Sequence, residues 1–397
     1  MSLNLINIEQ LYNELPDPVK EQLDRAIDGI IHAKEKGGKV VVVTGSGPNL
    51  HEGVTTLIAE LIHKGIIDGV TTSSAVIAHE MAGVLDEVKR VDGTKLGFSE
   101  DLLPRGGIFE VTMMKNDLAQ EISREIPVDA ELMKRAVDAE GELIIKAAGN
   151  MAYPMGLRTE LLAKEILSLA KSKGKPFEYI AGKGADPKTM LGAGFQCNIP
   201  VLVTVPQLVG GGLVGMAIGD SISISERSES LARMLSDADV IIESAVALTQ
   251  EIHDGPFETY TGHGIWSAWE GTPTFSLKGK TLIRIDLDPN LKKAWDFEKG
   301  SGTVQQAIDQ GMPKTKLMSI PFRMEMSGFA RLEKSIPVIG DIGSIWPVMA
   351  HFIAQRLAIP LDFISYPQQS PEGEEMRNWM VQNILPVKKE KLYLSKS

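Results

Sequence analysis

The chain has one cysteine in 397 residues, Cys197. No internal disulfide can form, and no thiolate cluster can hold zinc or iron–sulfur. Cys197 lies in Gly194-Phe-Gln-Cys-Asn-Ile-Pro200, just ahead of an apolar stretch, where a lone cysteine reads first as a small hydrophobe and second as a nucleophile. Histidine is sparse as well: seven are present, with no His-x-x-x-His and no His-Glu-x-x-His pair, so no metal site is expected. A basic excess is also missing. With 52 acidic against 41 basic residues, the formal charge is −11, which argues against a nucleic-acid or anionic-membrane partner. No apolar run approaches the roughly 18 residues of a membrane span, and the N-terminus carries acids in place of a basic segment followed by a hydrophobic one. The expectation is a cytoplasmic globular protein.

What the chain does have is a strand that breaks into glycines. Lys39-Val-Val-Val-Val-Thr-Gly-Ser-Gly-Pro-Asn-Leu50 is an apolar β-branched run, a Gly-rich turn and the start of an amphipathic helix. Val54, Leu57, Ile58, Leu61 and Ile62 fall at helical spacing and form one buried stripe. Glycines let backbone approach a ligand, and a helix N-terminus after such a turn favours an anion, with phosphate the best fit. Leu50 stands where the dinucleotide fingerprint wants its third glycine, and no Gly-Lys-Ser/Thr follows, so Walker A is excluded. An ordinary strand-to-helix turn without a ligand remains the alternative.

Beyond this turn, strands and helices alternate. A first helix covers 17–36. Strands are expected at 39–44, 67–72, 108–113, 178–181, 199–205, 239–244, 281–286 and 336–340. Helices are expected near 51–64, 75–88, 128–148, 158–172, 187–196, 226–236, 245–252, 303–311, 345–357 and 373–383. Near-continuous Val/Ile strands between helices mean an α/β protein with a doubly wound, mostly parallel, Rossmann-like sheet covered on both faces. A closed β/α barrel ranks second, because the spacing is uneven and the strongest Gly-rich turn follows the first strand. Residues 254–278, rich in glycine around His263, Trp266 and Trp269, read as a long irregular excursion, a place where α/β proteins often carry function.

Three stretches together resemble deoxyhypusine synthase and relatives sharing its NAD-binding fold. Gly45-Ser-Gly-Pro-Asn-Leu50 with Thr71-Thr-Ser-Ser-Ala75 is similar to two turns that cradle NAD there, with Asn49, Leu50, Thr71 and Thr72 matching. Asn198-Ile-Pro-Val201 running into Pro206-Gln-Leu-Val-Gly-Gly-Gly-Leu-Val-Gly-Met216 resembles a second family segment. Ile339-Gly-Asp-Ile-Gly-Ser-Ile-Trp-Pro-Val348 resembles a third, in which an aspartate touches cofactor. Two family aspartates are replaced by Gly210 and Gly215, and the imine-forming lysine has no counterpart. Deoxyhypusine synthesis itself is therefore disfavoured. Leu50-His-Glu-Gly, Asp68-Gly-Val, Ala78-His-Glu80, Ala238-Asp-Val240 and Lys280-Thr-Leu-Ile-Arg-Ile-Asp-Leu-Asp-Pro289 are similar, more weakly, to the nucleotide-binding module of arginine dihydrolase and ornithine cyclodeaminase enzymes.

These resemblances imply NAD as cofactor and hydride-transfer chemistry on a small amine or amino acid. They imply a homo-oligomer, dimer or tetramer, and three regions: an N-terminal helical segment (1–37), an NAD-binding α/β domain (38–360) and a C-terminal extension (361–397). The cofactor-binding candidates are Gly45, Ser46, Gly47, Asn49, Leu50, Thr71, Thr72, Ser73, Gly210, Gly211, Asp286, Asp288 and Asp341. The acid–base candidates are His79, Glu80, His253 and His263. Several have plainer readings. Gly210 and Gly211 suit a loop tip, Asp286 and Asp288 a turn and helix cap, His79 and Glu80 a solvated pair, and His253 and His263 packing. A catalytically silent nucleotide-binding or assembly protein is the rival function.

Overall fold

The computed structural model describes residues 5–45, 47–104, 106–245, 271, 275–321 and 324–394. The run Val40–Thr44 (β1) is buried along its whole length because it has a core on each side. Val40 and Val42 join one apolar cluster with the helices Asp17–Glu35, Val54–His63 and Ile342–Arg356. Val41 and Val43 face a second cluster, with Leu235, Leu291 and Phe329 from helices on the other side. A strand buried on both faces has no polar position to offer, hence four consecutive valines.

Gly69–Thr72 (β2), Val201–Val203 (β6), Val240–Ser244 (β7), Thr281–Asp286 (β8) and Lys334–Ile339 (β9) complete a parallel six-stranded sheet of order β6-β2-β1-β7-β8-β9. In order of appearance within this sheet that is 3-2-1-4-5-6, the doubly wound dinucleotide-binding arrangement. The sheet is open, so the barrel alternative falls.

Between β2 and β6 the chain builds a second, antiparallel sheet, of which the sequence pattern announces only the strand at 108–113: Leu85–Asp92 (β3), flanked by Ile108–Thr112 (β4) and Gly141–Ala147 (β5). The helices expected at 75–88 and 128–148 end early, at Ala82 and Asp138, and strands take over. Leu85, Val88 and Val91 recur every three residues and so imitate a helical stripe. Gly83 and Val84 overrule it, because both have left-handed backbone (φ 109° and 71°) and turn the chain into β3. Conversely 178–181, expected as a strand, lies in the helix Phe177–Gly184, where Phe177, Ile180 and Ala181 bury one face. Residues 361–394 pack onto the main core through Ile364, Tyr366, Met376 and Leu392, as the N-terminal helices do through Ile8 and Leu23. No single described helix is long and apolar enough to cross a membrane.

Gly215 is dictated by packing. A Cβ there would lie 1.9 Å from the Leu208 carbonyl oxygen, whereas one at Gly210 would meet nothing closer than 3.9 Å. No side chain fits at 215 without moving backbone, so a carboxylate at that position is excluded sterically. Gly215→Ala should cost about 2–3 kcal/mol in chemical denaturation while Gly210→Ala stays within about 0.5–1 kcal/mol. Equal effects would show that the turn over 208–215 is not packed as described.

Candidate functional site

In an open α/β sheet, ligands lie beyond the carboxyl ends of the strands where the order reverses. Here that point falls between β1 and β7. Three buried hydrogen bonds tie its two sides together. Trp346 Nε1–H donates to Ser244 Oγ (2.7 Å), the Ser244 hydroxyl donates to Asn49 Oδ1 (2.7 Å), and Asn49 Nδ2 donates to the Gly45 carbonyl (2.9 Å). Asn49 thus holds the turn after β1 against the end of β7 with its own side chain. Leu50 behind it is fully buried core. Gly47 opens the short helix Gly47–His51, and nothing lies within 4 Å of where its Cβ would be. Ser46 lies outside the described residues. Ala245, directly after β7, has φ 51°, a left-handed conformation that costs a non-glycine residue about 1 kcal/mol or more.

The helix after β1 differs from expectation. It is split at Gly53 (φ 68°), and its ten-residue continuation Val54–His63 starts beyond the break. A Cβ on Gly53 would sit 2.5 Å from Met376 Sδ, so the C-terminal helix Pro371–Asn383 wedges against the break. The longer helix accordingly starts at Val54, beyond the short one, and not at the Gly-rich turn itself.

Thr71 and Thr72 end β2, and their hydroxyls, like those of Thr44 and Thr204 at the ends of β1 and β6, are buried with no hydrogen-bond partner among the described residues. Thr71 and Thr72, being successive strand residues, face opposite sides of the sheet; orphaned buried hydroxyls of this kind are groups whose hydrogen-bonding capacity a ligand's oxygens can satisfy. Ser73 caps the helix Ser74–Ala82, its Oγ accepting from the Val76 amide (3.2 Å).

Next to this helix, a cavity of about 480 Å³ brings His79 together with Gly210, Gly211 and Gly212, and with the turn Ala148–Met151. The Gly211 amide donates to Ser74 Oγ (2.9 Å), and a Cβ on Gly211 would come within 2.6 Å of the Ser74 carbonyl, so glycine is required for this approach. His79 is held by a closed ring of bonds. Its carbonyl accepts from the Val84 amide (2.8 Å), the Val84 carbonyl accepts from the Ala148 amide (3.0 Å), and the Ala148 carbonyl accepts from His79 Nδ1 (2.8 Å). Because a carbonyl can only accept, Nδ1 carries the proton and Nε2 the lone pair. The strained Val84 is the link that turns the chain back to make this ring. Asp86 Oδ2 accepts from the Gly149 amide (2.9 Å) and secures the adjoining turn.

Glu80 faces the other way. It is fully buried, and its oxygens accept the amides of Met190 and Leu191 (2.8 and 2.9 Å) at the start of the helix Met190–Cys197. Burial pushes its carboxyl up to about 7. Asp286 accepts from Arg284 (3.1 Å) and from the Asp288 amide (3.0 Å), Asp288 caps the helix Pro289–Ser301, and Asp341 caps Ile342–Arg356 through the Gly343 amide (2.7 Å). All three stand at strand C-termini, with these oxygens engaged locally. His253, His263, Trp266 and Trp269 lie outside the described residues. A larger groove, about 800 Å³, opens at the opposite, N-terminal edge of the strands by Lys39, Asp68 and Pro200, where no glycine-rich turn faces it.

The sequence analysis assigns Glu52 no role. It is buried and accepts the Gln368 amide (2.7 Å), and burial raises its pKa. The glycine that follows it, a helix breaker, was the available signal.

The class defined by fold and site is a doubly wound, Rossmann-like α/β protein. No family model and no curated protein sequence matches the chain. Among solved structures it is similar to ArgZ, an arginine dihydrolase from the ornithine-ammonia cycle in cyanobacteria (12% identity, TM-score 0.41, covering 86% of this chain and 32% of ArgZ). It is also similar to AgrE in ternary complex with ornithine and NAD+ (12%, 0.39, 87% and 34%). A third is a conserved protein of Methanococcus maripaludis S2 classed as LOR/SDH (12%, 0.37, 87% and 70%). The chain spans about a third of the length of ArgZ and AgrE. Similarity this distant says nothing of activity.

Burial, and then the charge of Lys146, hold the His79 pKa below its ordinary 6.5, the bond to Ala148 opposing them. The native ring therefore binds a proton less tightly than the unfolded chain, and acidification through 6.5 removes stability. Nitrogen-15 NMR should show a neutral Nδ1–H tautomer titrating below 6.5. An Nε2–H tautomer, or an unshifted titration, would contradict the ring.

Proposed function

We propose that the chain binds NAD across the ends of β1 and β7 and acts by hydride transfer on a small amine or amino acid held in the His79 cavity. The observation that supports this most is the 3-2-1-4-5-6 strand order with an open glycine turn after its first strand. In this reading Gly45, Ser46 and Gly47 give the pyrophosphate backbone to approach, with Asn49 fixing the turn. Thr71, Thr72 and Ser73 offer hydroxyls. Asp286, Asp288 and Asp341 stand at strand ends within reach of ribose. NAD, when bound, supplies a reversible hydride acceptor. His79 takes the substrate's proton at Nε2, because its Nδ1–H is already given to Ala148.

The cavity is walled on one side by Gly210–Gly212 and on the other by the turn 148–151. His253 and His263 are proposed as further acid–base groups. Transfer of a polyamine fragment to a lysine is not proposed, since position 215 admits no carboxylate and no matching lysine exists. Exposed Val209 and Met216 beside the glycine loop, and Met151 across the cavity, support a homo-oligomer. Light scattering that finds a monomer at high concentration would remove that part.

Calorimetry with NAD tests the site. Gly47→Val should melt with the wild type, having open space, yet bind NAD at least tenfold more weakly. His79→Gln should keep NAD affinity and lose about 10²–10⁴ in turnover across a panel of amines and amino acids, read as NADH absorbance. Unchanged affinity in folded Gly47→Val would displace the cofactor site. Tight NAD binding with no turnover on any member of the panel would favour the silent nucleotide-binding protein.

A further inference from the structure

The His79 cavity carries one fixed charge. Among the described residues that line it, Glu160 is the only acidic or basic side chain apart from His79 itself, and neither lysine nor arginine is present. Glu160 stands on the helix Met155–Lys173 with its Oε1 3.7 Å from where a Cβ on Gly212 would be, so the carboxylate lies beside the glycine wall. It is exposed, at the cavity mouth, and makes no hydrogen bond or ion pair among the described residues. Lys146, behind the turn 148–151, is not part of the lining, and its ammonium is matched by Glu110 (2.6 Å).

The wall has acceptors and apolar surface to offer, while many of its donors are already used. His79 Nε2 presents a lone pair, because its Nδ1–H is given to the Ala148 carbonyl. The amides of Ala148, Gly149, Tyr153 and Gly211 donate to Val84, Asp86, Glu110 and Ser74. The start of Met155–Lys173 is closed as well, the Gly156 and Arg158 amides donating to the carbonyls of Ala152 and Pro154 (2.7 and 3.0 Å). Ala75, Ala78, Phe109, Met151, Leu157 and Val214 supply the apolar surface. A ligand carboxylate entering here would give up water with no cation to receive it, whereas an ammonium meets a free carboxylate and an imidazole lone pair. We propose that the cavity selects a small cationic amine with an apolar body and no carboxylate, Glu160 receiving its ammonium. The proposal rests on the reading of this cavity as the substrate site and narrows the substrate from amine or amino acid to amine. Glu160 is then the residue that sets specificity.

The experiment titrates three probes into the full-length protein: butylamine, norvaline, which is butylamine with a carboxylate on the carbon bearing the amine, and pentanoate. Binding is read from the His79 ring by NMR, with NAD in parallel calorimetry. Butylamine should bind about fivefold more tightly than either of the others, and Glu160→Gln should weaken it about three- to fivefold, the scale of an ion pair open to solvent. Glu160→Lys should reverse the order and favour pentanoate. Both variants should melt with the wild type, since the Glu160 side chain is exposed and bonded to nothing among the described residues. The amine assignment is overturned if norvaline or pentanoate binds the wild type as tightly as butylamine, or if Glu160→Gln binds butylamine unchanged. If no probe moves the His79 ring, the cavity falls as the substrate site and the assignment falls with it. Butylamine binding that depends on Glu160 in a protein that ignores NAD keeps the amine site and sinks the hydride-transfer reading. NADH formed from norvaline and not from butylamine keeps hydride transfer and sinks the amine assignment.

Discussion

The Asn49 side chain is the constraint on which the rest of the site depends. With Ser244 and Trp346 it forms a buried chain of hydrogen bonds joining the turn after β1, the end of β7 and the helix after β9. The first two flank the point where the strand order reverses. Each bond is worth only about 1 kcal/mol net, but removing a middle member strands a buried donor and acceptor together, at about 1–3 kcal/mol apiece. The turn is thereby kept in one shape while Gly47 at its tip stays open. A rigid frame with one vacant edge is what a ligand-binding turn requires, and here the rigidity comes from a side chain that serves the protein's own backbone.

The antiparallel sheet inserted between β2 and β6 gives the parallel sheet its neighbouring cavity. Its two ends meet at Val84 and Ala148, and these two residues complete the hydrogen-bonded ring that fixes His79. The left-handed backbone at Val84, unfavourable for a β-branched residue, is compensated by the bonds it closes. Frame and cavity are thus joined through one short helix, Ser74–Ala82, capped by Ser73 at the β2 end and carrying His79 near its other end.

The main sheet was legible because burial on both faces leaves a plain mark: runs of valine and isoleucine such as Val40–Val43 and Ile241–Ile242. Of the inserted sheet only the strand Ile108–Thr112 was, since Leu85, Val88 and Val91 have helical spacing and only the backbone at Gly83 and Val84 decides otherwise. Of the candidate residues, His79, Gly210 and Gly211 are brought by the fold to one cavity. The sequence could not tell that Glu80, one residue from His79, points into the core to cap another helix, because a helix turns successive side chains about 100° apart. Nor could it find the contact between the helix carrying Met376 and the Gly53 break more than three hundred residues earlier.

The central claim is that the end of β1 and β7, and not the larger groove at the other edge of the sheet, receives the ligand. A crystal structure of the protein with NAD tests this most directly. The account predicts density for the dinucleotide across the carboxyl ends of β1 and β7, with its phosphates against Gly45–Asn49 and the hydroxyls of Thr44 and Thr72 newly paired. Density in the groove by Lys39 and Asp68, with the Gly45–Asn49 turn untouched, would contradict it.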